Sequence, residues 1–309
     1  MITVTGASGL LGANFLLAAK ERGKEVSGVV NAHGLRFDGG RIVAADLTKR
    51  EAALDVLAQL GSKWLVHSAA WTNVDACEGD PAATNLLNVR MTRNLADFCD
   101  RRGVRMLYIS TDAVFNGERG GYSETDATGP INVYAAAKLQ AEAIALRVPK
   151  SMVVRTNIFG WNAQPKKSLA EWMLGELRGG RSFTGFDDVT FNPLLTNDLS
   201  DLLLDMIDKG LTGLYHLGSR EAWSKRKFGV ELAKTFGLDP ELVKPGSVAG
   251  VAFKAKRPQH TWLKTDKISA ALGRPMPDLA EGLARFKKLE DAGVAAALRA
   301  MLQGDTVHG

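Results

Sequence analysis

Tyr134 and Lys138 stand four residues apart in a stretch of helical pattern, so both side chains fall on one face. That spacing brings an ammonium beside a phenol and draws its pKa down from about 10 toward a working pH. A phenol so placed exchanges a proton while hydride moves at a neighbouring carbon. Ser110 and Thr111 close a β-rich apolar run. Open α/β sheets bind ligands at that carboxyl edge, and a hydroxyl there reaches a substrate oxygen. At the other end of the chain, Gly6-Ala7-Ser8-Gly9-Leu10-Leu11-Gly12 follows an apolar strand and opens a helical pattern. The first glycine permits a tight turn, the second a close backbone approach to a pyrophosphate, the third close packing of helix on sheet. The helix N–H groups and dipole then hold the phosphates. In isolation the glycine run is equally a plain turn; its position between strand and helix points to a dinucleotide.

Around these groups the first half alternates strands at 1–5, 25–30, 41–45, 63–68, 104–110 and 151–155 with helices at 10–22, 49–60, 81–102 and 133–147. This βαβ rhythm predicts a doubly wound parallel sheet of Rossmann type, helices on both faces. Residues 1–155 are expected to bind the dinucleotide. Residues 156–309 are expected to form a smaller α/β substrate domain, with helices at 168–177, 197–209 and 225–236 and a strand at 211–217. Segments of about 190–222 are expected to return to the main sheet. After the second strand no acid is available for a ribose 2′-OH. Asn31, His33 or Arg36 could instead meet a 2′-phosphate, which favours NADP and leaves NAD open; Arg36 reads equally as a solvated loop cation. Asp46 suits the adenine amino group or a helix N-cap near Lys49.

The 309 residues are 45% hydrophobic and 24% charged, ordinary for a globular chain. A net charge of +5 is spread along the sequence, which argues against nucleic acid and fits an anionic small substrate. No apolar run approaches a membrane span. Two cysteines, Cys77 and Cys99, make neither a disulfide framework nor a metal site, and the expected setting is cytoplasmic. His67 reads as a sheet residue rather than a base. Trp161, Trp172, Trp223 and Trp262 read as core rather than sugar platforms.

Several runs are similar to the extended short-chain dehydrogenase/reductase family, in its dTDP-4-dehydrorhamnose reductase branch. They are Ser68-Ala69-Ala70-Trp71-Thr72-Asn73-Val74-Asp75, Leu86-Leu87-Asn88-Val89, Ser110-Thr111-Asp112-Ala113-Val114-Phe115-Asn116-Gly117 and Pro130-Ile131-Asn132-Val133-Tyr134. Glu124-Thr125-Asp126, Arg155-Thr156, Gly213–Leu217 and Arg257-Pro258 with Leu263 extend the likeness over nearly the whole chain. The resemblance implies hydride delivery from NADPH to a keto carbon, C4, of a nucleotide-linked deoxysugar. Thr111 becomes the substrate hydroxyl partner, Tyr134 the acid, and Lys138 its tuner and ribose ligand. The dinucleotide wall is Gly6, Ser8, Gly9, Leu10, Leu11, Gly12, Asn31, Arg36, Asp46, Leu47, Ala69, Ala70, Asn88 and Ser110. The substrate wall is Trp71, Val74, Thr111, Asp112, Ala113 and Asn157.

The chain departs from the branch in having Ala135-Ala136-Ala137 after the tyrosine, His67-Ser68 at the strand end, and Trp71 and Ala113 facing the substrate. Ala113 stands where dehydratases of this kind carry Glu, which argues against dehydration. Neither cysteine falls where an epimerase-reductase needs one. A 4-epimerase remains the enzyme alternative. A cofactor-binding regulatory subunit, like the β-subunit of methionine adenosyltransferase, remains the non-enzyme one. A homodimer is the assembly considered.

Overall fold

The computed structural model describes residues 1–305; residues 306–309, the end of the expected substrate half, lie outside it. Seven strands form the main sheet: β1 (Ile2–Thr5), β2 (Val26–Val30), β3 (Ile42–Ala44), β4 (Trp64–His67), β5 (Arg105–Thr111), β6 (Met152–Thr156) and β7 (Gly213–Leu217). Their spatial order is β7-β6-β5-β4-β1-β2-β3, and every neighbouring pair is parallel. The order reverses between β1 and β4, which opens a crevice at their carboxyl ends.

The side-chain alternation of each strand divides the core in two. Val4, Val66 and Leu107 pack with Phe15, Leu16, Leu199 and Leu203, beneath helices Leu10–Glu21 and Thr196–Asp208. Leu65, Met106 and Tyr108 pack with Leu57, Leu95 and Ala141, beneath Arg50–Leu60, Met91–Arg102 and Val133–Ala145. Every residue of β1, β2, β4 and β6 is buried, polar ones such as Thr3, Thr5, His67 and Arg155 included, as expected of central parallel strands covered on both faces. Much of the second half builds another core, in which Phe159, Trp161, Phe191, Phe228 and Phe286 meet, with Trp161 stacked on Phe286 at 4.1 Å. Trp223 is also buried there, whereas Trp172 is 40% exposed and so is not a core residue.

The helix expected at 81–102 is continuous but not uniform. Pro81–Thr84 is α-helical, Asn85–Arg90 is a π-turn, and Met91–Arg102 is α-helical again. Asp80 caps its start, its Oδ1 accepting from Ala83 N at 2.9 Å. Sequence periodicity also passed over the short helix Val74–Gly79 and the antiparallel pair His33–Leu35 with Leu302–Asp305. Among the described residues no helix is long and apolar enough to cross a membrane.

Candidate active site

A cleft of about 830 Å³ lies along the carboxyl ends of β1, β2, β4 and β5. Its floor is the glycine turn. Gly6 has φ +68°, and a Cβ on it would sit 2.8 Å from Ala69 Cα in the neighbouring loop. A Cβ on Gly12 would collide with the Gly6 carbonyl, so the helix approaches the turn only because that side chain is absent. A Cβ on Gly9 would meet only the Gly6 carbonyl oxygen, at 3.2 Å, and helix Leu10–Glu21 has no side-chain cap. Its first N–H groups are thus left for an anion, and the residues present fit a dinucleotide pyrophosphate.

The upper lip comes from Asn31, Ala32 and His33 after β2, and from Asp46, Leu47 and Thr48. Asp46 Oδ1 accepts from Thr48 N at 3.0 Å and Oγ1 at 2.6 Å, which closes the turn before Arg50–Leu60 rather than capping that helix. Arg36 does not line the cleft and is exposed. The chain has by then entered His33–Leu35, which pairs with Leu302–Asp305, and Arg36 N bonds Met301 O at 2.6 Å.

Ser68, Ala69, Ala70, Trp71 and Val74 form the wall after β4. Asn88, expected against the cofactor, stands behind it. Its Oδ1 accepts from Trp71 N at 2.8 Å and its Nδ2 donates to Trp71 O at 3.1 Å, so it clamps the wall. His67 is buried between Thr5 Oγ1 at 2.8 Å and Thr92 Oγ1 at 3.0 Å, and burial pushes its pKa down to about 3. It is a neutral sheet residue.

The end of β5 carries the reactive groups, and Ser110, Thr111, Asp112, Ala113, Tyr134, Lys138 and Asn157 all line the cleft. Ser110 nonetheless turns its hydroxyl inward, donating to Glu142 Oε1 at 2.5 Å. Glu142 in turn takes Arg155 Nε at 3.0 Å and Nη2 at 2.8 Å in a buried ion pair. Lys138 Nζ donates to Ile109 O at 2.7 Å and lies 4.2 Å from the Tyr108 ring centre. Burial draws its pKa down to about 7, against the pull of Glu142.

Tyr134 lines the cleft together with Thr111, whose side chain acts to lower the tyrosine's pKa. Desolvation in the cleft, then the charges of Asp112 and Cys77, hold its pKa above the ordinary tyrosine value. The expected lowering of that pKa is not seen, because desolvation of the phenol dominates. Tyr134 is a protonated phenol at neutral pH, the state an acid requires.

Asp112 is buried, its Oδ2 accepting from Asn157 Nδ2 at 2.9 Å and Thr261 Oγ1 at 2.5 Å. Lys225 acts on it electrostatically and sits 3.2 Å from the Phe191 ring centre, with burial lowering its own pKa to about 7. Neither Thr261 nor Lys225 was reached from the sequence, although the Arg257-Pro258 to Leu263 run brackets the first. A strap from the second half also went unnoticed. Gln164 Nε2 donates to Ser8 Oγ at 3.3 Å and Lys166 Nζ to Thr72 Oγ1 at 2.7 Å, crossing the cleft mouth.

A doubly wound sheet with a glycine turn after β1, and a Tyr-x-x-x-Lys helix presenting its tyrosine to the end of β5, defines an extended short-chain dehydrogenase/reductase. Comparison with known proteins narrows the class: the chain belongs to the RmlD substrate binding domain family, which matches residues 1–291. It is 30% identical to a probable low-salt glycan biosynthesis reductase of Haloferax volcanii, covering 92% of this chain and 96% of that one. A dTDP-4-dehydrorhamnose reductase of Mycobacterium tuberculosis is 28% identical over 87% of this chain and 86% of its own. A dTDP-4-dehydrorhamnose reductase of Bacillus anthracis, solved in complex with NADP, has the same fold. Its TM-score is 0.82 at 24% identity, over 93% of this chain and 98% of that one.

Proposed function

We propose that this protein reduces the C4 keto group of a nucleotide-linked 6-deoxysugar, using NADPH in preference to NADH. The observation that carries the reading is the meeting of Thr111, a protonated Tyr134 and Lys138 in one cleft with an uncapped glycine-turn helix. The names of the Haloferax and Mycobacterium relatives support a reductase, and the NADP complex of the Bacillus protein supports the cofactor. The lack of an acid at the end of β2, where Asn31 and His33 stand, supports NADPH as well.

The bound dinucleotide would supply the hydride. Helix Leu10–Glu21 would hold its pyrophosphate at the N–H groups of Leu10 and Leu11, and Asp46 with Leu47 would border the adenosine. Lys138, one helical turn from Tyr134, would orient the ribose and hold positive charge behind the phenol. Tyr134 would give its proton to the alkoxide as it forms, and an oriented donor at that oxygen is where most of the rate arises. Trp71, Val74, Ala113 and Asn157 would bound the sugar.

In this reading residues 1–155 serve the dinucleotide and residues 156–309 the sugar nucleotide, with the stretch of about 190–222 returning to the sheet. The buried free cysteines Cys77 and Cys99 suit a cytoplasmic setting, and a homodimer is the assembly we favour. The test is NADPH oxidation against a panel of dTDP-, UDP- and GDP-linked 4-keto-6-deoxysugars. Turnover of at least one is expected; tight NADPH binding with no turnover of any would overturn the assignment.

A further inference from the structure

A diphosphate held at the glycine turn carries two negative charges, and the uncapped helix offers only partial positive charge in return. Among the described residues the lysines lining the cleft are Lys138, Lys166 and Lys167, and no arginine lines it. Lys138 is buried and bound to Ile109 O. The other two stand on the strap that crosses the mouth, and both are exposed. The strap is a built loop. Asn14, on the helix that opens at the glycine turn, donates from Nδ2 to Trp161 O at 3.0 Å. Asn162 folds the next residues, its Oδ1 accepting from Gln164 N at 3.1 Å and its Nδ2 donating to Lys166 O at 2.6 Å. Ser168 then caps helix Leu169–Arg178. With the backbone so fixed, two side chains reach across. Gln164 Nε2 donates to Ser8 Oγ at 3.3 Å and Lys166 Nζ to Thr72 Oγ1 at 2.7 Å. Both acceptors are neutral hydroxyls, and Ser8 belongs to the glycine turn itself. A phosphate oxygen is the stronger acceptor for an ammonium, since unlike charges add Coulomb attraction to the hydrogen bond.

We propose that Lys166, with Gln164 beside it, exchanges its hydroxyl partner for the diphosphate of the dinucleotide, so that a strap of the second half becomes a wall of the cofactor site. The contact of Gln164 with Ser8 favours the dinucleotide over the diphosphate of a sugar nucleotide, because Ser8 lies in the turn that receives the former. The inference rests on the dinucleotide reading of the cleft and needs nothing from the sugar. The loop stays tied to Asn14 at one end and to the cap of Ser168 at the other, and only the two side chains change partners. Lys166 then acts as a clasp, which strengthens binding and slows release.

The experiment titrates NADPH, and separately dTDP, into the wild type, Lys166→Met, Lys166→Arg, Gln164→Ala and Thr72→Val, and times NADPH release by stopped flow. Thermal melts without dinucleotide report folding, which an exposed side chain at 166 should not affect. Lys166→Met should raise the NADPH Kd by about 5- to 30-fold at low ionic strength, the worth of a partly screened bond between ions. Most of that change should appear as faster release. The deficit should shrink as salt is added, because the exposed charge is screened in the wild type too. Lys166→Arg should restore most of the affinity, and Gln164→Ala should raise the Kd by about 2- to 10-fold. Thr72→Val removes only the partner that Lys166 has in the empty cleft, so NADPH should bind it at least as tightly as the wild type. A wild-type NADPH Kd in Lys166→Met overturns the inference, and a loss of dTDP binding alone in that variant would assign the strap to the sugar nucleotide instead. Thr72→Val as weak as Lys166→Met overturns it too, since the pair would then only brace the loop. A wild type that does not bind NADPH overturns the dinucleotide reading itself.

Discussion

Lys138, the proposed tuner of Tyr134, is held in the fold at a cost, and replacing it with methionine separates that cost from its proposed role. Its side chain is 3% exposed, and its ammonium has one hydrogen bond, to Ile109 O at 2.7 Å. Burial lowers its pKa from 10.5 to about 7. At 1.36 kcal/mol per tenfold change, holding this lysine in the folded chain costs about 4–5 kcal/mol where both states keep it protonated, up to about pH 7. Removing the ammonium strands the Ile109 carbonyl, which costs about 1–3 kcal/mol in return. Lys138→Met, close in length and without charge, should therefore stabilise the dinucleotide-free protein by about 2 kcal/mol at neutral pH while abolishing turnover.

The sign follows from proton counting. Below pH 7 both states hold the proton and the full penalty applies. Between pH 7 and about 10 the unfolded state binds more protons than the folded one, so wild-type stability rises with pH. The methionine variant lacks this rise, and its advantage should shrink steadily over that window. Denaturant melts of both proteins at pH 7, 8, 9 and 10, without dinucleotide, measure the difference directly. A variant less stable than wild type at pH 7, or a difference that does not change with pH, would refute the reasoning.

Tyr134→Phe should lower kcat by about 100- to 10,000-fold, with the NADPH Kd unchanged by titration, because only the proton donor is lost. Gly12→Ala should abolish NADPH binding in the same titration, since its methyl meets the Gly6 carbonyl and must part the helix from the turn. Arg36→Ala should leave both NADPH and NADH affinities unchanged, as expected of an exposed side chain off the cleft; a selective loss of NADPH would put Arg36 back in the site. Trp71 and Ala113 face the same cleft from neighbouring strand ends. Trp71→His and Ala113→Tyr should therefore couple by about 0.5–3 kcal/mol in a double-mutant cycle on kcat/KM, and strict additivity would mean that they do not share the sugar pocket.

The sheet was legible because its strands are short, β-branched and mostly apolar, and the helices between them must return on a 3.6-residue period. Both signals are local. So was the glycine turn, whose tight backbone needs residues without Cβ atoms at fixed offsets. The setting of Arg36 depends on a partner far along the chain. His33–Leu35 pairs with Leu302–Asp305 just before it, and nothing near residue 36 announces that pairing. The π-turn at Asn85–Arg90 was likewise invisible, since a helix that gains one residue keeps its apolar face nearly in register.

Within the site, residue type was legible and hydrogen-bond direction was not. Ser110, Thr111, Asn88 and Lys138 all lie at or beside the cleft, yet each spends its polar group on a neighbour that no spacing rule identifies. Ser110 turns to Glu142, Asn88 to the Trp71 backbone, Lys138 to Ile109 O, and Thr111 to Asp112. These partners share a physical cause. A parallel sheet capped by helices leaves little water beneath its carboxyl edge, so every polar group there must find a protein partner before substrate arrives. The chemistry available to the site is then what remains after those pairings. For Tyr134 the remainder is a proton held by a phenol that the cleft keeps from ionising.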